Sequence, residues 1–112
     1  MTPQELVDAY YEAWRAGRPL DPELFAADLV FVGPMGELHG RDAFLAGLDA
    51  LGGVMKLAAI RRRFLDGDEA CVIYDAATPA GVIPMAEWIH TRAGKIVRLE
   101  VFFDAIRLPR AG

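Results

Sequence analysis

Cysteine is almost absent from this chain. The lone Cys71 excludes an internal disulfide, and by itself it holds no metal. The two histidines, His39 and His90, are not at metal-ligand spacing, so no metal and no cofactor are expected. No apolar run reaches the ~18 residues of a helical membrane span. The opening segment MTPQELVDAY lacks the basic start and apolar stretch of a signal peptide. There is no phosphate-cradling glycine motif, no nucleophile elbow and no internal repeat or low-complexity linker. Positive charge is in deficit: Lys plus Arg number 12 against 16 Asp plus Glu, a net charge of −4. That balance argues against nucleic acid and anionic membranes as partners. A cytoplasmic protein with one domain over 1–112 is expected.

What the chain does have is apolar surface. Hydrophobic residues make up 54% and charged residues an ordinary 25%. Such a chain does not stay disordered. The excess has three possible destinations: a dense core, the lining of a cavity, or an interface between subunits.

The periodicities divide the chain into a helical front and a stranded back. Thr2-Pro3-Gln4-Glu5 is a helix start, with a cap, a proline at the first helical position and a capping-box glutamate. Leu6, Val7, Tyr10, Tyr11 and Trp14 recur at helical spacing, and Gly17 ends the helix. A short helix is predicted over Asp21 to Phe25, and a strand over Leu29 to Gly33. Glu37 to His39 reads as a return strand. Asp42 to Leu51 reads as a third helix stopped by Gly52-Gly53. Four strands follow: Lys56 to Leu65, Ala70 to Thr78, Val82 to His90 and Lys95 to Ile106. Short turns between them imply antiparallel neighbours. Pro84 stands against a strand there, because proline removes a ladder hydrogen bond, a conflict that a bulge would remove. The pattern is that of an α+β fold, a curved antiparallel sheet with helices on one face.

Several segments resemble the SnoaL-like, nuclear transport factor 2-like superfamily over essentially the whole chain. Tyr10-Tyr11-Glu12-Ala13-Trp14-Arg15-Ala16-Gly17 is similar to its first helix. His39-Gly40-Arg41-Asp42-Ala43-Phe44 is similar to the start of its third. Ala86-Glu87-Trp88-Ile89 and Gly94-Lys95-Ile96-Val97, ending in Phe102-Phe103-Asp104, resemble its last two strands. The resemblance implies a cone-shaped, cystatin-like α+β barrel, its sheet curled around the N-terminal helices over an apolar pocket. The superfamily holds ketosteroid isomerases, polyketide cyclases, epoxide hydrolases and non-catalytic binding or dimerisation modules, so fold alone does not name a reaction.

Carried over by resemblance, Tyr10 takes the place of the isomerases' hydrogen-bonding tyrosine. Glu87 takes the place of their second, protonated carboxylic acid, provided that the following hairpin is one residue shorter. Two departures stand against this. The isomerase base aligns with Gly33, and the carboxylate of the cyclases aligns with Val101. Glu87 lies in an apolar strand and shares a face with Met85 and Ile89, which points it inward. Its alternative is an ion pair with a neighbouring arginine. Tyr10 and Trp14 are one helical turn apart, as core aromatics often are.

In Arg61-Arg62-Arg63, strict alternation places Arg62 with Ile60 and Phe64. It then either reaches the pocket, for an anionic group or for Glu87, or stays solvated. By analogy with the isomerases, Tyr74 faces inward, and Asp75 faces outward toward an arginine. His39 reads as structural, and His90 as exposed near a turn.

Two functions are compatible with these residues. In the first, an enzyme of isomerase, cyclase or hydrolase type acts on a small apolar molecule. Glu87 is its acid or base and Tyr10 its hydrogen-bond donor. Its wall is Trp14, Phe31, Leu45, Tyr74, Met85, Leu99, Val101 and Phe103, with Arg62 as a further ligand contact. This reading requires Glu87 and Tyr10 to converge on one open cavity. A cavity filled by side chains, or an ion pair on Glu87, counts against it. In the second, the chain is a non-catalytic binding or dimerisation module. In either case Ile73, Trp88 and Phe102 fall on the outer sheet face with Cys71, an apolar patch expected to form a homodimer.

Overall fold

The computed structural model describes residues 1–51 and 54–107. The expected stop at Gly52-Gly53 lies outside the described residues. Helix α1 spans Pro3–Ala16. The side chain of Thr2 accepts from the Glu5 N–H, and the Glu5 carboxylate accepts from the Thr2 N–H at 2.9 Å. Both halves of the capping box are therefore present, satisfying donors that the first helical turn leaves free. Gly17 closes the helix at φ 69°, a left-handed conformation that glycine adopts without a Cβ clash.

A 3-10 turn at Pro22–Leu24 leads into β1, Phe25–Gly33. Strand β2 is Gly36–His39, and helix α2 is Arg41–Leu51. Then come β3 Lys56–Asp66, β4 Glu69–Thr78, β5 Gly81–Arg92 and β6 Lys95–Phe102. The six strands form one curved, unclosed sheet in the order β2-β1-β6-β5-β4-β3. Every neighbouring pair is antiparallel except β1 and β6, which run parallel. That pairing follows from chain order: β6 returns to the sheet beside β1 after the whole meander. The expected last strand, Lys95 to Ile106, ends earlier, at Phe102, and Ala105–Arg107 forms a 3-10 turn.

Pairing of β4 with β5 runs unbroken past Asp75↔Pro84, so the strand accommodates Pro84 without a bulge. The reason is positional. The β5–β6 ladder begins at Ala86↔Phe102, so Pro84 lies beyond the end of β6. A missing N–H on that open side breaks no ladder bond. Bulges occur in β3 instead, between Leu57 and Ala59 and between Ile60 and Arg62.

Both helices pack on one face of the sheet. Helix α1 sends Leu6, Val7, Tyr10, Tyr11 and Ala13 into the core. Helix α2 buries one residue fully, Phe44, whose ring meets Phe25 at 5.2 Å and Phe31 at 5.5 Å. From the sheet, Val72, Tyr74, Met85, Ile89, Ile96 and Leu99 complete the core. Among the described residues no helix is long and apolar enough to cross a membrane.

Candidate functional site

Strand β5 alternates in and out, and this sets the site. Met85, Glu87 and Ile89 point inward, while Trp88 points outward and is 40% exposed. Glu87 is thus a carboxyl inside the core, only 1% exposed. Its register neighbours are Val72 on β4 and Val101 on β6. The sheet therefore offers it apolar flanks and no cation.

Its partners come from α1. The Tyr10 phenol donates to Oε2 of Glu87 at 3.0 Å, and the Tyr11 phenol donates to Oε1. Adjacent helical residues project about 100° apart. Here the two rings straddle the carboxyl, their centroids 5.0 Å apart. Tyr74 packs edge-on against Tyr11 at 5.6 Å, and Trp14 against Tyr74 at 5.3 Å. One acid therefore sits within a wall of aromatic rings.

Burial decides the electrostatics. Loss of water raises the Glu87 pKa from 4.5 to about 7, and the hydrogen bonds from Tyr11 and Tyr10 oppose that rise. The phenols of Tyr10, Tyr11 and Tyr74 are all raised, first by burial and then by the nearby carboxylate charge. They stay protonated donors. A carboxyl with a pKa near neutrality exchanges its proton in the physiological range. Two phenols fixed on it define where a polar atom of a ligand would compete.

The expected pair, Glu87 and Tyr10, is brought together, and Glu87 takes no arginine in ion pair among the described residues. Tyr74, Met85, Leu99 and Val101 are buried around it. Trp14, Phe31, Leu45 and Phe103 pack on the same core while remaining partly exposed. Tyr11 was not singled out by the sequence. Its only signal is adjacency to Tyr10 on the buried stripe.

Arg62 corrects the expectation of an inward side chain. The bulge after Ile60 shifts the alternation by one residue. Arg62 consequently pairs in register with outward Ile73, is exposed, and lies 5.2 Å over the ring of Phe64. Arg63 turns to the helix side instead and binds Asp8 of α1. Asp75 faces outward and meets Arg61 at 3.8 Å. His39 pairs with Glu37 at 3.0 Å. His90 differs from expectation: it is half-buried, its ring 4.4 Å from that of Trp88 and tilted to it, with Nε2 enclosed and without a hydrogen-bond partner among the described residues.

Glu87 is sealed from solvent by its neighbours among the described residues. Two cavities are described, and neither touches Glu87. One lies between α1 and the end of β3, lined by Gln4, Val7, Asp8, Arg63, Leu65 and Val72, among others. The other is on the outer face, between Phe64 and Trp88 above Cys71. Among the described residues no three His, Cys, Asp or Glu side chains converge as a metal site.

A helix-bearing cone with a carboxyl on an inner strand defines the class of the protein: a nuclear transport factor 2-like fold with an internal acid. The SnoaL-like domain model matches residues 7–99, and the chain belongs to that family. No curated protein matches it. Among solved structures, it is similar to a nuclear transport factor 2-like protein of unknown function from Cytophaga hutchinsonii. That likeness is 24% identity and TM-score 0.84, covering 95% of this chain and 93% of the other. A proposed polyketide cyclase from Pseudomonas putida is 26% identical, TM-score 0.79, covering 96% and 95%. A proposed isomerase of the SnoaL-like family from Agrobacterium tumefaciens is 16% identical, TM-score 0.71, covering 90% and 96%.

Proposed function

We propose that this SnoaL-like chain binds a small, mostly apolar molecule against the Glu87–Tyr10–Tyr11 cluster. Glu87 is the proton-handling group of an isomerase- or cyclase-type reaction. One observation carries this reading: a carboxyl held by two phenols in an apolar core, its pKa raised to about 7. Burying such a group is costly, and groups so perturbed concentrate at sites of chemistry. The kinds of reaction named for the similar proteins of Pseudomonas putida and Agrobacterium tumefaciens support the same direction. The ligand has to displace a phenol contact to reach the carboxyl.

The second reading is a non-catalytic module, and the observation that favours it is that Glu87 is 1% exposed and lines neither described cavity. Gly33 supplies no side chain as a base, and Val101 supplies no second carboxylate. Carbon-detected NMR of Glu87, alone and with an apolar cyclic ketone, separates the two. The catalytic reading expects a Glu87 titration near 7 that moves on adding the ketone, with proton exchange at the carbon beside its carbonyl. Glu87→Gln should abolish that exchange. Titration at an ordinary carboxylate value would sink the proton-handling role, and ketone binding without exchange would leave the non-catalytic module.

Whichever reading holds, a second copy of the chain is the partner proposed for the outer face carrying Ile73, Trp88 and Phe102.

A further inference from the structure

We propose that the bare edge of β3, residues 62–66, pairs antiparallel with the same edge of a second copy, about a two-fold axis through Phe64. Among the described residues, strand β3 ends the sheet and pairs only with β4. Its ladder is regular from Arg62↔Ile73 to Asp66↔Glu69, so alternate N–H and C=O groups of this stretch face outward with no strand to receive them. Phe64 and Leu65, on opposite faces of the strand, are each 49% exposed. A cavity opens beside the edge on each face of the sheet, one bordered by Leu65 and the other by Asp66, with Phe64 at both.

Charge selects the occupant. Arg61 and Arg63 are engaged within the chain, by Asp75 and Asp8. Arg62 and Asp66 make no ion pair among the described residues. Side chains directly opposite each other must share a face of the sheet, so a two-fold antiparallel pairing has to be centred on a residue. Centred on Arg62 or Arg63, it sets an arginine against its own copy. Centred on Phe64, it sets Arg62 of each copy opposite Asp66 of the other, Phe64 opposite Phe64, and Arg63 opposite Leu65. Both unpaired charges are matched and no two arginines meet. The bulge between Ile60 and Arg62 ends the flat stretch and limits the contact to these five residues. The edge contact is independent of the reading of Glu87. It is also separate from the outer-face contact, because Phe102 lies three strands away, about 14 Å across the sheet.

The test uses the full chain carrying Phe102→Asp, which removes the outer-face contact. In that background, sedimentation velocity should show concentration-dependent dimers. Amide exchange should slow at alternate residues of 62–66 as concentration rises. Arg62→Glu and Asp66→Arg should each weaken association about tenfold, through like charges placed opposite. Mixing the two variants should restore it, because both cross-pairs are then attractive. Monomers at every concentration, or a mixture no heavier than its components, would overturn the proposal. So would charge reversals that leave association unchanged. Binding of an unrelated acidic extended peptide at this edge, without restoration on mixing, would also overturn it and assign the edge to a different partner.

Discussion

At the residue scale, Glu87 sets stability against proton chemistry. Its folded pKa of about 7 lies above the ordinary 4.5. The folded state therefore holds the proton more tightly than the unfolded chain does. The stability contributed by the protonated form is complete below about 4.5 and is lost as pH rises through about 7. The gap corresponds to roughly 3 kcal/mol. Urea midpoints at pH 5 and pH 8 measure it. The wild-type chain should lose most of that increment, while Glu87→Gln should not. A parallel fall in both would place the titrating group elsewhere. The phenols give a second check. Both donate to the carboxyl and favour its charged form, so Tyr11→Phe should move the Glu87 titration further up. A downward shift would contradict the hydrogen-bond assignment. Glu87 was legible in the sequence because a lone carboxyl in an apolar strand is conspicuous. Tyr11 was not, because a second tyrosine on an amphipathic helix looks like any core aromatic until its hydroxyl is placed.

At the element scale, strands and turns were readable where one local rule governs them. The capping box of α1 and Gly17 follow from residue types, whereas β5 runs on to Arg92, past the expected end at His90, and tightens the turn to Ala93-Gly94. Strand β3 was readable in extent but not in which side chains face inward, because a bulge is a property of the pairing with β4. Alternation counted along the sequence turns Arg62 inward, and one extra residue after Ile60 turns it out. The β5–β6 turn carries a correctable strain. Ala93 sits at φ 53° and Gly94 at φ 75°, with Arg92↔Lys95 closing the hairpin. Two positive φ angles suit Asn-Gly, whereas alanine meets a Cβ clash in that region. Ala93→Asn should stabilise the chain by about 1 kcal/mol. Its thermal midpoint should rise with the fold unchanged, and a lower midpoint would show that the turn tolerates Ala93 for another reason.

At the scale of the whole molecule, the apolar excess is accounted for on both sides of the sheet. The inner side takes the core and the aromatic wall around Glu87. On the outer side, register aligns Val32, Glu100, Trp88, Cys71 and Phe64 across five strands, with Phe102, Ala86 and Ile73 in the next row. Trp88 is 40% and Phe102 53% exposed, with Glu100, Asp75 and the arginines Arg61 and Arg98 around them. Apolar rows with a charged rim have the anatomy of an interface, and mixed charges on one patch allow it to be self-complementary. A stable pair needs about 800 Å² from each copy, an area that a sheet face of four strands can supply. Phe102→Asp would place a charge in the middle of that contact, where burial without a partner is prohibitive. Because the Phe102 side chain is exposed in the single chain, the substitution should leave the folded subunit intact by circular dichroism. Sedimentation should then lose the face-to-face dimer proposed for the wild-type chain at micromolar concentration. The Trp88 indole, which already donates to Glu69 at 2.8 Å, gives a second readout. Its fluorescence should shift to the red in Phe102→Asp as water reaches the face. A wild-type chain that is monomeric at micromolar concentration, with a Trp88 spectrum unchanged by the substitution, would remove the interface and leave the outer rows as solvated surface.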